Sequence, residues 1–268
     1  MNAVLFDVAL TAYILAAVAA AASLAGRREG LMPFVDLVAG AGWVCHTVSL
    51  AIRWVETGRP PILSLAEAVS IMIWTLVAWL LWAERRYHAR VLGVFVLPVV
   101  LVLGLLLPTG LRAIALPPTA PALWTVAHVS LALVGLAALV VNFAGALMYL
   151  LQERQLKAKR PGTWYYRLPS LETLDRLTYR TLTVGFPFLT AGIVLGIVWS
   201  RHLGGAPVSL DPLALFSVVM WLVYAVTLSG RAVGRWQGRR AAWFAVAGFG
   251  TLLLTLGAGV LMRGRHGL

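Results

Sequence analysis

The sequence has few charged residues and almost no cysteine. Only 12% of its 268 residues are charged, with 10 Asp and Glu against 22 Lys and Arg. The one cysteine, Cys45, excludes an internal disulfide and any redox or zinc motif that needs two thiols. Motifs typical of nucleotide-binding loops, zinc proteases and serine hydrolases are missing in a usable context. No combination of nucleophile, base and orienting group is present, so we expect no enzymatic activity.

Hydrophobic residues dominate instead, at 60% of the chain with a mean hydropathy of +0.86. Such a composition is typical of an integral membrane protein, and a helix needs about 20 apolar residues to cross a bilayer. We predict an all-α polytopic bundle of eight transmembrane helices that forms a single membrane domain over residues 1–268. The first segment has no basic leader or small-residue cleavage site, which indicates a retained helix. The predicted spans are residues 4–25, 33–54, 63–83, 91–107, 123–151, 179–199, 213–228 and 241–262.

Basic residues are distributed unequally between the two sides of this bundle. Sixteen of the 22 Lys and Arg lie in the connectors that follow odd-numbered spans. Short loops rich in Lys and Arg stay cytoplasmic, which predicts a multi-pass protein of the inner (plasma) membrane with both termini outside. The formal charge of +12 is then explained by contact with anionic membrane lipid, and we expect no nucleic-acid partner.

Two histidines interrupt the apolar spans at similar depth. His46 lies eight residues, or ~12 Å, from the outer end of the second span, and His128 lies five residues, or ~8 Å, into the fifth. Two imidazoles facing each other in a helical bundle can ligate haem iron. The alternative is that each imidazole packs as a polar filler bonded to a neighbouring hydroxyl or carbonyl, and for either histidine alone that alternative is favoured.

Helical neighbours of these histidines favour the haem interpretation. Every seventh residue after His128 is Gly135, Asn142 and Tyr149, and His46 shares a helical face with Gly40. Small residues beside a histidine leave room for a flat ligand, although the same pattern serves ordinary packing between helices.

Charged residues near the outer rim form the second group of candidates. Glu67 needs a partner inside the membrane, and Arg53 is the natural one. The outer arginines, Arg53 and Arg201 among them, could instead hold the carboxylates of haem propionates or simply extend to the interface.

Several stretches taken in order resemble the cytochrome c assembly family, with its CcsA-type and HemX/YpjD-like branches. The resemblance covers most of the chain and implies haem handling. It is carried by VCHTVSLAIRW (44–54), TGRPPILSLAEAVSIMIW (57–74), the stretch that begins WTVAHVSLALVG (124–157), LETLDRLTYRTLTVGFPFLTAGIVLGIVWS (171–200) and the stretch that begins DPLALFSVVMW (211–250).

The sequence also departs from the CcsA-type branch. That branch carries a tryptophan-rich external segment before an Asp-Pro pair, whereas residues 201–212 read RHLGGAPVSLDP without tryptophan. Ser229 stands where the branch has a histidine near the end of the seventh helix. These differences argue against a complete cytochrome c synthetase.

Two ligand pairs follow from the resemblance. His128 matches an external-side histidine of the family and His266 the second external one, while His46 matches the HemX/YpjD-like branch. We therefore expect haem b, with its iron, bound by His46 and His128 or by His128 and His266, and a membrane partner in cytochrome c assembly or respiration. The alternatives are an electron-transferring b-type cytochrome subunit and a haem-free scaffold or regulator.

Overall fold

Helices account for the regular structure of the chain in the computed structural model, which describes residues 3–26, 29–105, 107, 122–159, 162, 166–202, 212–234 and 236–265. Within these residues the eight α-helices are α1 (Ala3–Ala25), α2 (Met32–Thr57), α3 (Leu65–Tyr87), α4 (Leu92–Leu105), α5 (Ala122–Lys157), α6 (Leu171–His202), α7 (Pro212–Ala232) and α8 (Arg239–Arg265). This confirms the prediction of an all-helical polytopic bundle.

Six of these helices, namely α1, α2, α3, α5, α6 and α7, are long and apolar enough to cross a membrane within the described residues. Six of the eight predicted spans therefore have the length and composition of a membrane-crossing helix. The α4 helix has 14 residues and reaches only ~21 Å at 1.5 Å per residue, short of the ~30 Å of hydrocarbon. For α8 the side chains from residue 256 onward lie outside the described residues.

The observed helix α6 begins eight residues before the predicted span. Ser170 accepts a hydrogen bond from the backbone N–H of Thr173 at 3.2 Å, and Glu172 lies in the first turn. A hydroxyl cap and an early acidic residue are typical of a helix start. Charged turns thus extend this helix beyond its apolar part, which a hydropathy pattern alone does not detect.

Successive helices run antiparallel. Tyr13 on α1 contacts His46 on α2 while Ser23 contacts Met32, and Arg53 contacts Glu67 at the other end of α2. We call the end of the bundle that holds the last turns of α1, α3, α5 and α7 the basic end, because most Lys and Arg lie there. The first four helices join the last four through contacts of α3 with α5 and α6 and of α4 with α5.

The α5–α6 pair is the most extensively packed in the described structure. A Cβ added to Gly135 would lie 2.7 Å from the backbone nitrogen of Leu189, and one on Gly185 would lie 2.8 Å from Cβ of Ala138. Further along, buried Asn142 donates from Nδ2 to the carbonyl of Thr178 at 2.6 Å. Small residues therefore let two helix backbones approach closely, as is usual in membrane bundles.

This packing predicts opposite effects of alanine at two helical glycines. Gly135→Ala should lower the free energy of unfolding by about 1–3 kcal/mol, because the new methyl group meets the α6 backbone. Gly250→Ala on α8 is the matched control, since nothing lies within 4 Å of its added Cβ and alanine favours helix by about 1 kcal/mol. Thermal unfolding of both variants in the same detergent measures the difference, and equal melting temperatures would contradict the packing argument.

Candidate functional site

The imidazole of His46 is fully buried on α2 among side chains from α1 and α3. Its Nδ1 lies 3.3 Å from the Tyr13 hydroxyl and its Nε2 lies 2.9 Å from Oγ of Ser70. The ring of Phe6 meets the imidazole edge-on at 5.2 Å between centroids. A neutral imidazole has one donor and one acceptor nitrogen, and a hydroxyl can serve either. Both ring nitrogens are thus satisfied, as the polar-filler interpretation of this residue expects.

His128, in the second turn of α5, has a different environment. It is half-buried, and its Nδ1 lies 2.7 Å from the backbone carbonyl of Gly192 on α6. Because a carbonyl only accepts, Nδ1 carries the hydrogen and the lone pair of Nε2 is free to bind a metal. Among the described residues no hydrogen bond involves Nε2. A backbone carbonyl bonded to one nitrogen is the usual way proteins orient a metal-ligating histidine.

Glycine on α6 makes room for the His128 ring. A Cβ on Gly196 would lie 2.8 Å from Cε1 and 3.1 Å from Nδ1 of His128. Gly192, one turn earlier, would place a Cβ 3.0 Å from the backbone nitrogen of Ala132. The sequence Gly-Ile-Val-Leu-Gly at residues 192–196 therefore brings α6 close enough to receive the imidazole. This spacing of small residues is visible in the sequence and could have indicated the α6 side of the site, but the sequence prediction did not include Gly192 or Gly196.

The two histidines have different helical neighbours. His46 is bonded to α1 and α3, whereas the bonded neighbour of His128 belongs to α6. No contact between the two imidazoles occurs within the described part of the chain. The proposed ligation by His46 and His128 together stays a prediction.

Other candidates lie in parts of the chain that are not described. His266 follows the last described residue, Arg265, and the side chains of Arg201 and His202 at the end of α6 lie outside the described residues. Because helices alternate in direction, the start of α5 and the ends of α6 and α8 share the end of the bundle opposite the basic end. His128 and the backbone of His202 thus lie toward the same end.

Arg53 is paired with Glu67, which confirms the sequence prediction for this partner. Its Nη2 and Nε lie 2.5 and 2.8 Å from Glu67 Oε1, and Arg59 adds a contact of 3.2 Å to Oε2. Glu67 also completes a capping box with Ser64 at the start of α3. The Ser-x-x-Glu spacing in the sequence predicts such a cap. The Glu67 carboxylate thus binds two arginines and caps helix α3, and Arg53 forms an ion pair with it.

Along α5, Gly135 and Asn142, which follow His128 at intervals of seven, pack against α6 and leave no space for a ligand there. Gly135 contacts the α6 backbone and Asn142 bonds to it, so the seven-residue repeat marks the α5–α6 interface. Gly40 on α2 differs because nothing lies within 4 Å of its added Cβ, but it lines a groove that does not include His46. Ser229 on α7 is exposed. Of the two candidate histidines in the described part of the chain, His128 is the one with a ring nitrogen that has no hydrogen-bond partner.

Taken together, these features describe a polytopic helical membrane protein with an oriented histidine near the end opposite the basic one. The family described as Cytochrome C assembly protein matches residues 62–266. The chain belongs to this family.

Its relatives carry the name cytochrome c biogenesis protein CcsA. The protein of that name from Thermosynechococcus vestitus is 34% identical over 269 residues, which cover 83% of this chain and 83% of the relative. The one from Synechococcus sp. (strain RCC307) is 32% identical, with 89% and 86% covered, and the one from Guillardia theta is 31% identical, with 82% and 80% covered. Each match therefore extends over at least 80% of both chains.

The environments of the two histidines predict different costs of replacement. His46→Ala leaves two buried hydroxyls without their partner, which should reduce the free energy of unfolding by about 1–3 kcal/mol or more in haem-free protein. His128→Ala removes one hydrogen bond from a half-buried position, so its loss of unfolding free energy should be less than half of that caused by His46→Ala. Chemical or thermal unfolding of both variants in detergent measures the difference.

Single-bond variants serve as the control for this comparison. Tyr13→Phe and Ser70→Ala each remove one partner of His46 and should each cost about 1 kcal/mol. If His128→Ala proved more destabilising than His46→Ala, the assignment of His46 to structural packing would be wrong.

Proposed function

We propose that this protein acts in cytochrome c biogenesis by holding or relaying haem b near the end of the bundle opposite the basic end. The observation that carries the proposal is the bond from His128 Nδ1 to the Gly192 carbonyl, which leaves Nε2 oriented as a ligand. Family membership and the name of the relatives support a role in cytochrome c assembly.

His128 would supply one axial ligand through Nε2. His266 is the better second candidate, since α8 ends at the same end of the bundle and the resemblance to the family implies a second external ligand near the C-terminus. His46 fits less well because it is fully buried and both of its nitrogens are bonded. Ligation by His46 would require it to leave Ser70 or Tyr13. Haem iron would add its affinity for imidazole and a one-electron redox couple.

The neighbours of His128 would set its orientation and protonation. The Gly192 carbonyl holds the hydrogen on Nδ1, and the missing side chain of Gly196 leaves space for the ring. Arg53 and Arg59 are paired with Glu67, so Arg201 is a better candidate for a propionate than either of them.

The cellular setting follows from the charge distribution. We place the protein in the inner membrane with the basic end in the cytoplasm and the His128 end outside. In this role the protein presents haem to other assembly components and does not itself catalyse attachment.

The test is a reduced-minus-oxidised absorption spectrum of protein purified from haem-replete cells. Wild-type protein should carry haem with the bands of a bis-imidazole b-type centre, and His128→Ala should lower haem occupancy at least tenfold. His266→Ala should have a similar effect, whereas His46→Ala should keep its haem in the fraction that folds. Gly196→Ala should also reduce occupancy because its methyl group meets the imidazole.

A matched control is His88→Asn at the basic end, where the backbone φ of +52° suits asparagine and haem content should not change. Haem-free wild-type protein, or full occupancy in His128→Ala, would refute the proposal and favour a haem-free scaffold. Stable, stoichiometric haem with a reversible midpoint and a co-purifying redox partner would instead favour an electron-transferring cytochrome subunit.

A further inference from the structure

A groove opens between α2 and α3 on the half of the bundle nearest the basic end. Its volume is about 830 Å³, within the range of ~300–1,000 Å³ typical of small-molecule sites. Its lining includes Leu37, Gly40 and Trp43 from α2 and Trp82 and Arg85 from α3. The groove lies away from His128, which belongs to the opposite end.

The groove exists because α2 and α3 contact each other mainly toward their other ends. There Arg53 pairs with Glu67 and His46 bonds to Ser70. Of these contacts, the one nearest the basic end is the stacked pair of Trp43 and Trp74, whose ring centroids are 5.3 Å apart. Trp43 Nε1 also donates a hydrogen bond to the Trp74 carbonyl. On the side of this stack toward the basic end, residues of both helices line the groove, and Gly40 contributes no side chain to fill it.

The walls of the groove are apolar and face away from the bundle. The exposed fractions are 70% for Leu37, 56% for Val44 and 40% for Trp82. In a membrane-spanning helix such exposed apolar side chains contact acyl chains. An occupant with a long apolar body is therefore favoured.

The mouth of the groove carries positive charge. Arg85 and Arg86, in the last turn of α3, both line it. Arg85 interacts electrostatically with Asp36 and Glu84, but among the described residues neither arginine is within salt-bridge distance of a carboxylate. Asp36, the acidic residue of the lining, is paired with Arg90 at 3.3 Å. A guanidinium pair at the membrane surface favours an anionic phosphate group.

We propose that this groove binds one anionic phospholipid, with its phosphate at Arg85 and Arg86 and an acyl chain along Trp43 and Trp82. Haem also combines an apolar body with anionic groups, but the lining contains no histidine, cysteine or methionine to ligate iron. The bound lipid would fill the space between α2 and α3 and hold these helices at their observed separation at the basic end.

The test compares lipid retention by full-length protein in detergent, measured by native mass spectrometry with added phosphatidylglycerol or phosphatidylcholine. Wild-type protein should retain phosphatidylglycerol at least tenfold better. The double variant Arg85→Gln/Arg86→Gln should lose that preference. Lys159→Gln/Arg240→Gln removes the same charge from exposed positions at the same end and should keep it.

A steric variant tests the groove independently of charge. Gly40→Leu should reduce retention of both lipids at least fivefold, because its side chain projects into the groove without meeting another residue at Cβ. Gly250→Leu on α8, where the added Cβ also meets nothing, should not change it. Thermal unfolding without added lipid verifies that each variant folds.

Three results would overturn the proposal. Retention that is indifferent to both the charge and the steric variants would show that the groove is not the site. Displacement of the lipid by millimolar inorganic phosphate would show recognition of phosphate alone. Displacement by haem or an iron-free porphyrin, with the same dependence on Gly40 and Arg85, would assign the groove to a porphyrin.

Discussion

Hydrocarbon offers no hydrogen-bond partner, so each polar group inside a membrane helix must find one in the protein. This constraint determines which helices meet along much of the described bundle. His46 joins α2 to α1 and α3 through two hydroxyls, Glu67 joins α3 to α2 through Arg53, and Asn142 joins α5 to α6 through a backbone carbonyl. The few polar residues of the spans act as connectors between helices.

The same constraint operates at the basic end. Asp175 on α6 binds Arg231 of α7 through Oδ2 at 2.9 Å and accepts the backbone N–H of Gly238 through Oδ1 at 3.0 Å. One carboxylate thereby holds the ends of three helices together. Close packing of α5 on α6 then fixes where His128 lies, because the glycines that allow the approach also receive its ring.

The two ends of the bundle differ in the chemistry they offer. The end with His128 presents a ring nitrogen without a partner, which suits a metal in a flat cofactor. The groove near the basic end presents indole rings, aliphatic side chains and guanidinium groups, which suit a lipid. Since the two sites use different helices, variants in one can be made without altering the ligand contacts of the other.

Composition and hydropathy alone predicted the all-helical membrane bundle, because apolar runs of the required length have no other stable structure in a bilayer. The pairing of Arg53 with Glu67 was also predictable, since a buried carboxylate needs a nearby cation. The sequence did not allow us to predict which of the two histidines is enclosed and which has a ring nitrogen without a partner. Spacing shows the depth and face of a residue, whereas its partners belong to helices distant in sequence, and only their packing decided that His46 meets two hydroxyls and His128 a carbonyl.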